Sequence, residues 1–273
     1  MDICWLLLRI KKDYFFAPRR EEYRQILETA RKHEYKVMSL LEFYLNREEM
    51  AHQRVVALRH DIDNDNPRGV RLFFELEKEF RVSATYYFRL KTFKMTHIVR
   101  EILEYGSEVG YHFEEPVSLA KRYGMRSCRE LEQEENRKRI DDMLEHNIRS
   151  INSKFGIQIR SLCSHNDFYN RRLGFENHAF LSDRIRQKFN VLFEAYDPSF
   201  MNLFDRYVSD VTGSSALSHL WKNNHSPVKA MLDGVPKIYI LTHPRQWHPA
   251  FISNTRANTQ RLFQELYYRS MGL

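Results

Sequence analysis

"RVVALRHDIDND", Arg54 to Asp65, is a short apolar run that ends in a dense polar cluster. Val55 to Leu58 are the aliphatic residues of a buried strand. Where the run ends, Asp61 and Asp63 stand two residues apart, with Arg59 and His60 before them. In an extended segment, residues two apart point to the same side. Two carboxylates on one side raise each other's proton affinity unless a cation or hydrogen-bond donors compensate. A polar cap after a strand is the plain explanation of such a pair and a site is the other, so the rest of the chain must decide.

Towards the N-terminus, "REEYRQILETARKHEYKV" sets Tyr23, Ile26, Leu27 and Ala30 at helical spacing, and a short strand follows at Tyr35–Val37. "SLLEFYLN" offers a Ser39…Glu42 capping box and a short helix. The opening "ICWLLLRI" reads as a buried strand. Towards the C-terminus, "NPRGVRLFFELEKEF" is helical, with Asn66 as cap and Pro67 in the first turn. "SATYYFRL" is a strand, "HIVREILEYG" a helix stopped by Gly106, and "SEVGYHFEE" a strand running into acids. A longer helix starts from a Ser127–Glu130 capping box. Its apolar stripe is Ile140, Leu144, Ile148, Ile151 and Phe155, ending at Gly156. "IQIRSLCSHND" is a strand, "SDRIRQKFN" a helix, "VLFEAYD" and "RYVSDVTG" short strands and "KIYILTHPRQW" the last strand. "NTRANTQRLFQELYYRSM" is a closing helix. No linker, repeat or low-complexity segment interrupts the order. The alternation predicts one α/β domain over residues 1–273, with mainly parallel strands in an open sheet or a barrel.

With 273 residues, 42% hydrophobic and 14% aromatic, the chain can bury a sizeable core. Its 43 Lys and Arg against 36 Asp and Glu give a net charge of +7, but the basic residues are scattered among acids. Without a dense basic run interleaved with aromatics, the expectation is no nucleic-acid partner; an acidic polysaccharide or a membrane surface would suit the excess equally. Cys4, Cys128 and Cys163 are odd in number and widely separated, which favours reduced thiols in the cytoplasm. The apolar stretch of "MDICWLLLRIKKDYFF" is too short to span a bilayer and lacks signal-peptide flanks, so no stable membrane insertion is expected. Oligomeric state leaves no mark on the sequence.

Reactive side chains share one address. Asp61 and Asp63 follow "VVAL", Arg89 follows "TYYF", and His112, Glu114 and Glu115 follow "EVGY". His165 and Asn166 follow "IRSLCS", Asp210 follows "RYVS" and His243 follows "IYILT". Each lies at the carboxyl end of an expected strand, and in parallel α/β folds those ends meet at one face, where sites form. An Asp and two His could supply O and N ligands for a divalent cation such as zinc. One Asp would then bind the ion while the other acts as a general base, with His243 as a possible acid.

In their order, "LRHDID", "EVGYHFEE", "SHND" and "ILTHPRQW" resemble the polysaccharide deacetylases of the carbohydrate esterase family 4 type, in the divergent branch that opens with Arg-His-Asp-x-Asp. The resemblance covers roughly residues 55–247. It implies a distorted (β/α) barrel and a metal-dependent hydrolase, with zinc as the expected divalent metal, that removes an acyl group, acetyl in the first instance, from an amino sugar or polysaccharide precursor as its acetylated carbohydrate substrate. Residue by residue, it implies that Asp61 is the catalytic base, Asp63 and His112 are metal ligands, and His243 is the general acid, with Asp210 near the fourth motif. The family's second motif carries another metal-binding His four residues after the first, where this chain has Pro116. The candidates for the missing ligand are His165, then Glu115, then Glu114. The third motif's Arg and Pro are also absent around "SHNDFYN", and Arg89 is a candidate for the cation that orients Asp61. Trp247 is read either as an apolar wall for an acetyl group or as packing. The alternative to an enzyme is a carbohydrate-binding barrel that kept the cleft and lost catalysis.

Overall fold

The computed structural model describes residues 17–210, 221 and 226–249, together with Leu7, Thr255, Thr259, Leu262, Phe263 and Leu266. Among the described residues, eight strands alternate with helices: β1 (Lys36–Ser39), β2 (Val55–Ile62), β3 (Thr85–Phe88), β4 (Glu108–Phe113), β5 (Ser161–Ser164), β6 (Phe193–Glu194), β7 (Arg206–Ser209) and β8 (Lys237–Thr242). The class is the one expected, α/β with parallel strands. The chain divides into two compact units. One comprises residues 1–86, 97–108 and 204–273, the other residues 87–96 and 109–203.

In the first unit β2 pairs in parallel with β1 and β8, and β8 pairs with β7. Val55 lies opposite Lys237, and the ladder continues to His60 opposite Thr242. All eight residues of β2 are buried, which is why its sequence is aliphatic until the polar cluster begins. The helix Arg20–Lys32 buries Tyr23, Ile26, Leu27 and Ala30, the face its spacing predicts. The helix Pro67–Phe80 starts at Asn66, whose side chain accepts from the Gly69 N–H at 3.0 Å, with Pro67 in the first turn. Ser39 likewise caps the short helix Leu40–Leu45 by accepting from the Glu42 N–H.

In the second unit β5 pairs in parallel with β4 and β6. Gly110 is required on β4, since a Cβ there would run into the Tyr87 ring. The helix Glu134–Phe155 buries Ile140, Leu144, Ile148, Ile151 and Phe155 and stops at Gly156 in the left-handed conformation.

Several elements differ from expectation. The Ser127–Glu130 capping box starts a separate short helix, Cys128–Glu132, and not the long one. Gln133 is extended between the two (φ −60°, ψ 138°), and the Asn136 amide donates to the Glu130 carbonyl across the break. β6 has only two residues because the chain turns back at once: the Asp197 carboxylate accepts from the Glu194 N–H while the Asp197 N–H donates to the Glu194 carbonyl. Of "ICWLLLRI" only Leu7 is described. It is helical and 61% exposed, against the buried strand expected. The described residues of the closing segment are helical, as expected, while the "VTG" after Asp210 lies outside the described residues. No helix among the described residues is long and apolar enough to cross a membrane.

Candidate functional site

In the first unit, the alternation of β2 sorts its polar residues. Arg59 and Asp61 lie on one side, and His60 lies on the other. The Arg59 guanidinium grips Asp61 with two bonds, Nε to Oδ1 at 2.7 Å and Nη2 to Oδ2 at 2.8 Å, and its Nη1 donates to the Tyr239 hydroxyl at 2.7 Å. Both members of this ion pair are fully buried. The planar fork of arginine matches a carboxylate in this two-bond geometry. A cation two residues away on the same strand thus compensates the Asp61 charge. Asp63 has a cation of its own, Arg245, whose Nη2 lies 3.5 Å from Oδ2.

His243 follows β8 directly, while Asp61 is the last residue but one of β2. Its Nδ1 lies 2.7 Å from Asp210 Oδ1, and its backbone N–H donates to Asp210 Oδ2 at 2.7 Å. Trp247 Nε1–H donates to the same oxygen at 2.8 Å. A carboxylate only accepts, so His243 carries its proton on Nδ1. Its Nε2 lies 3.8 Å from Asp61 Oδ2. Burial works against a charged imidazole here, but the Asp210 charge and hydrogen bond, then the charges of Asp63 and Asp61, outweigh it and raise the His243 pKa. A histidine held this way can deliver a proton through Nε2. Trp247 is fully buried, with Arg19 stacked on its ring at 4.0 Å. It is therefore a donor that holds Asp210 and not a wall open to a substrate.

In the second unit, His112 at the end of β4 and His165 just after β5 form a pair. His112 Nδ1 lies 3.0 Å from the Cys163 carbonyl. A carbonyl only accepts, so Nδ1 carries the proton and Nε2 presents a lone pair. That nitrogen lies 3.2 Å from His165 Nδ1. Two nitrogens each about 2.0–2.1 Å from a tetrahedral zinc ion are separated by roughly 3.3 Å, so the pair has the spacing of neighbouring ligands. A backbone carbonyl behind a ligand histidine is also the usual orienting arrangement. Where His165 carries its proton on Nδ1, it donates to the same lone pair. The backbone of this stretch is pinned by Glu194, which accepts from the Ser164 N–H at 2.7 Å, and by His165 N–H donating to the Phe113 carbonyl.

The neighbouring acids have other partners. Glu115 accepts from Tyr111 Oη at 2.5 Å, Asn147 Nδ2 at 2.7 Å and the Glu114 N–H at 3.0 Å, so both of its oxygens are engaged. Burial raises its pKa despite these bonds, and the same burial with the Glu115 charge raises the Tyr111 hydroxyl well above its ordinary value. Glu114 pairs with Arg89. Burial pushes the Glu114 carboxyl up, but Arg89 and then His165 prevail and lower its pKa. Pro116 sits buried in the first turn of the helix Glu115–Tyr123, a position that suits proline and offers no ligand atom.

Sequence reasoning did not assign Arg59 a role, although its spacing of two from Asp61 was the available signal. It had no signal for the Trp247 bond, which depends on a turn between residues 243 and 247.

No family model matches the chain, and no curated protein matches it. Solved structures do. A mutant of BA3943, a CE4 family pseudoenzyme with restored enzymatic activity, is 15% identical over 79% of this chain and 64% of its own, with a TM-score of 0.43. Wild-type BA3943 from Bacillus anthracis is 14% identical over 79% of this chain and 62% of its own, also with a TM-score of 0.43. The peptidoglycan deacetylase PdaC from Bacillus subtilis is 16% identical over 80% and 98%, with a TM-score of 0.37. The chain thus spans somewhat less than two thirds of the first two structures.

Proposed function

We propose that this chain is a metal-dependent hydrolase that removes an acyl group, acetyl in the simplest case, from the amine of an amino sugar or a polysaccharide precursor. The observation that carries the reading is the His112–His165 pair, with its tautomer set by the Cys163 carbonyl and its nitrogens 3.2 Å apart. Asp63 is the carboxylate we assign to the same ion, as the resemblance of "LRHDID" implies, giving an O, N, N set whose chemistry suits zinc. When bound, a divalent ion there draws charge from the acyl oxygen and makes a water molecule more acidic.

The chain's own residues do the rest. Asp61 takes the proton as the water oxygen bonds to the acyl carbon, and Arg59 holds its carboxylate in place. As the C–N bond breaks, His243 gives its Nε2 proton to the departing amine, and Asp210 stabilises and orients the imidazole. The products are a carboxylic acid and a free amine. We assign this role to the whole chain as a single catalytic domain in the cytoplasm, where Cys128 and Cys163, both unbridged, would remain reduced.

The test is acetate release from N-acetylated sugars by protein loaded with zinc. Asp61→Asn should abolish release while leaving the far-UV spectrum and the metal content unchanged. Full activity in that variant would remove Asp61 as the base. A second reading, glycan binding without turnover, draws on the two bonds from Arg59, which already engage both Asp61 oxygens. Glycan binding that survives chelation, with no acetate released by zinc-loaded protein, would favour it.

A further inference from the structure

The face of β2 opposite Asp61 carries a second polar network that the proposed chemistry does not use. His60 Nδ1 lies 2.6 Å from Thr242 Oγ1, and His60 Nε2 lies 2.7 Å from Glu77 Oε1. The same Glu77 accepts from Tyr23 Oη at 2.8 Å and from Tyr86 Oη at 2.5 Å. His60, Glu77, Thr242, Tyr23 and Tyr86 are all fully buried. A carboxylate only accepts, so His60 donates from Nε2, and in that tautomer Nδ1 takes the Thr242 hydroxyl proton. Burial and the Glu77 charge raise the pKa of both tyrosines well above the ordinary value, which keeps their hydroxyls as donors.

This arrangement costs more to bury than the apolar side chains that would fill the same space. Its position offers a reason. His60 and Thr242 are register partners on β2 and β8, and the next residues on the two strands are Asp61 and His243. Adjacent strand residues point to opposite faces. A bond that locks residues 60 and 242 on one face therefore fixes where residues 61 and 243 emerge on the other, 3.8 Å apart.

We propose that Thr242, His60 and Glu77 are positioning residues, a clamp behind the strand ends that holds Asp61 and His243 in their working relation. The proposal takes from the preceding section the reading of those two residues as base and acid. The clamp itself can be tested without substrate or metal.

The experiment uses the full chain with 15N-labelled histidine and follows solvent exchange of the His243 Nδ1 proton, which is bound to Asp210. Thr242→Val keeps the shape and removes the hydroxyl. Exchange should become about tenfold faster, the scale of one net hydrogen bond. Thr242→Ser should restore the wild-type rate. Tyr86→Phe removes one donor from Glu77 at the far end of the network and should speed exchange by about threefold. Ala30→Gly, two helical turns from Tyr23 on the helix Arg20–Lys32, serves as a control that loses stability away from the clamp. A rate within twofold of wild type in both Thr242→Val and Tyr86→Phe would overturn the proposal, and so would equal acceleration in the Ala30→Gly control. Absence of acetate release by wild-type protein would sink the hydrolase reading alone and leave the exchange result to decide the clamp.

Discussion

The candidate site residues of the two units are held by opposite means. In the first unit they are charged and compensated by other charges: Arg59 on Asp61, Arg245 on Asp63 and Asp210 on His243. In the second unit the histidine pair leans on the neutral backbone, with the Cys163 carbonyl behind His112. Charge compensation fixes a proton's location and makes each partner costly to remove. A backbone carbonyl fixes only the tautomer and leaves a lone pair available. The first device suits acid–base work and the second suits a ligand, so the two regions should respond differently to mutation and pH.

The largest effect should come from Arg59→Met, which strands a buried carboxylate. Urea unfolding should show a loss of about 3–5 kcal/mol, and Arg59→Met with Asp61→Asn should recover part of it, because no unpaired charge is then left inside. A loss below 1 kcal/mol in the single variant would show that the pair is not the closed, dry contact described here. The next effect belongs to the second unit. His112→Ala should weaken zinc binding by at least about a hundredfold in a competition titration, with a loss of unfolding free energy of about 1–3 kcal/mol from the cavity left by the buried ring, smaller than for Arg59→Met because no charge is stranded. Large destabilisation without altered zinc affinity would reverse the contrast between the units.

Asp210→Asn tests the sign of the His243 shift. A raised folded pKa means that His243 contributes stability that is fully present below its unfolded pKa, about 6.5, and is lost as pH rises through the folded value. In the wild-type protein this contribution should therefore fade as pH increases above about 6.5. In Asp210→Asn the imidazole loses its largest favourable partner, so its pKa should fall and that pH dependence should flatten. A steeper pH dependence in the variant would mean that Asp210 is not the charge that holds the proton.

How much of this could be read beforehand depended on distance along the chain. β2 was legible because four aliphatic residues precede a polar cluster, and the helix Glu134–Phe155 because its stripe repeats at helical spacing. The strand-end address of Asp61, His112, His165 and His243 followed from the same alternation. Arg59 lies within reach of the period-two rule, two residues before Asp61 on the same strand. The engagement of Glu115 by Tyr111 and Asn147 was not legible, since Asn147 is 32 residues away on another helix. Neither was the Glu77 network, whose partners lie 54 and 17 residues away along the chain. The break at Gln133 was hidden because a capping box announces where a helix starts and says nothing of where it ends.

The smallest effect sharpens the comparison most. Trp247→Phe keeps an aromatic ring under Arg19 and removes one donor from Asp210. The stability cost should be about 1 kcal/mol, the net worth of one hydrogen bond. The effect on His243 should run opposite to that of Asp210→Asn. With one fewer donor sharing its charge, Asp210 bears more fully on the imidazole, and the His243 pKa should rise further. An NMR titration of the two variants beside wild type would place His243 lowest in Asp210→Asn and highest in Trp247→Phe. If both variants moved it downwards, the indole would be acting by keeping Asp210 in place and not by sharing its charge, and the first unit's histidine would be governed by geometry as much as the second's.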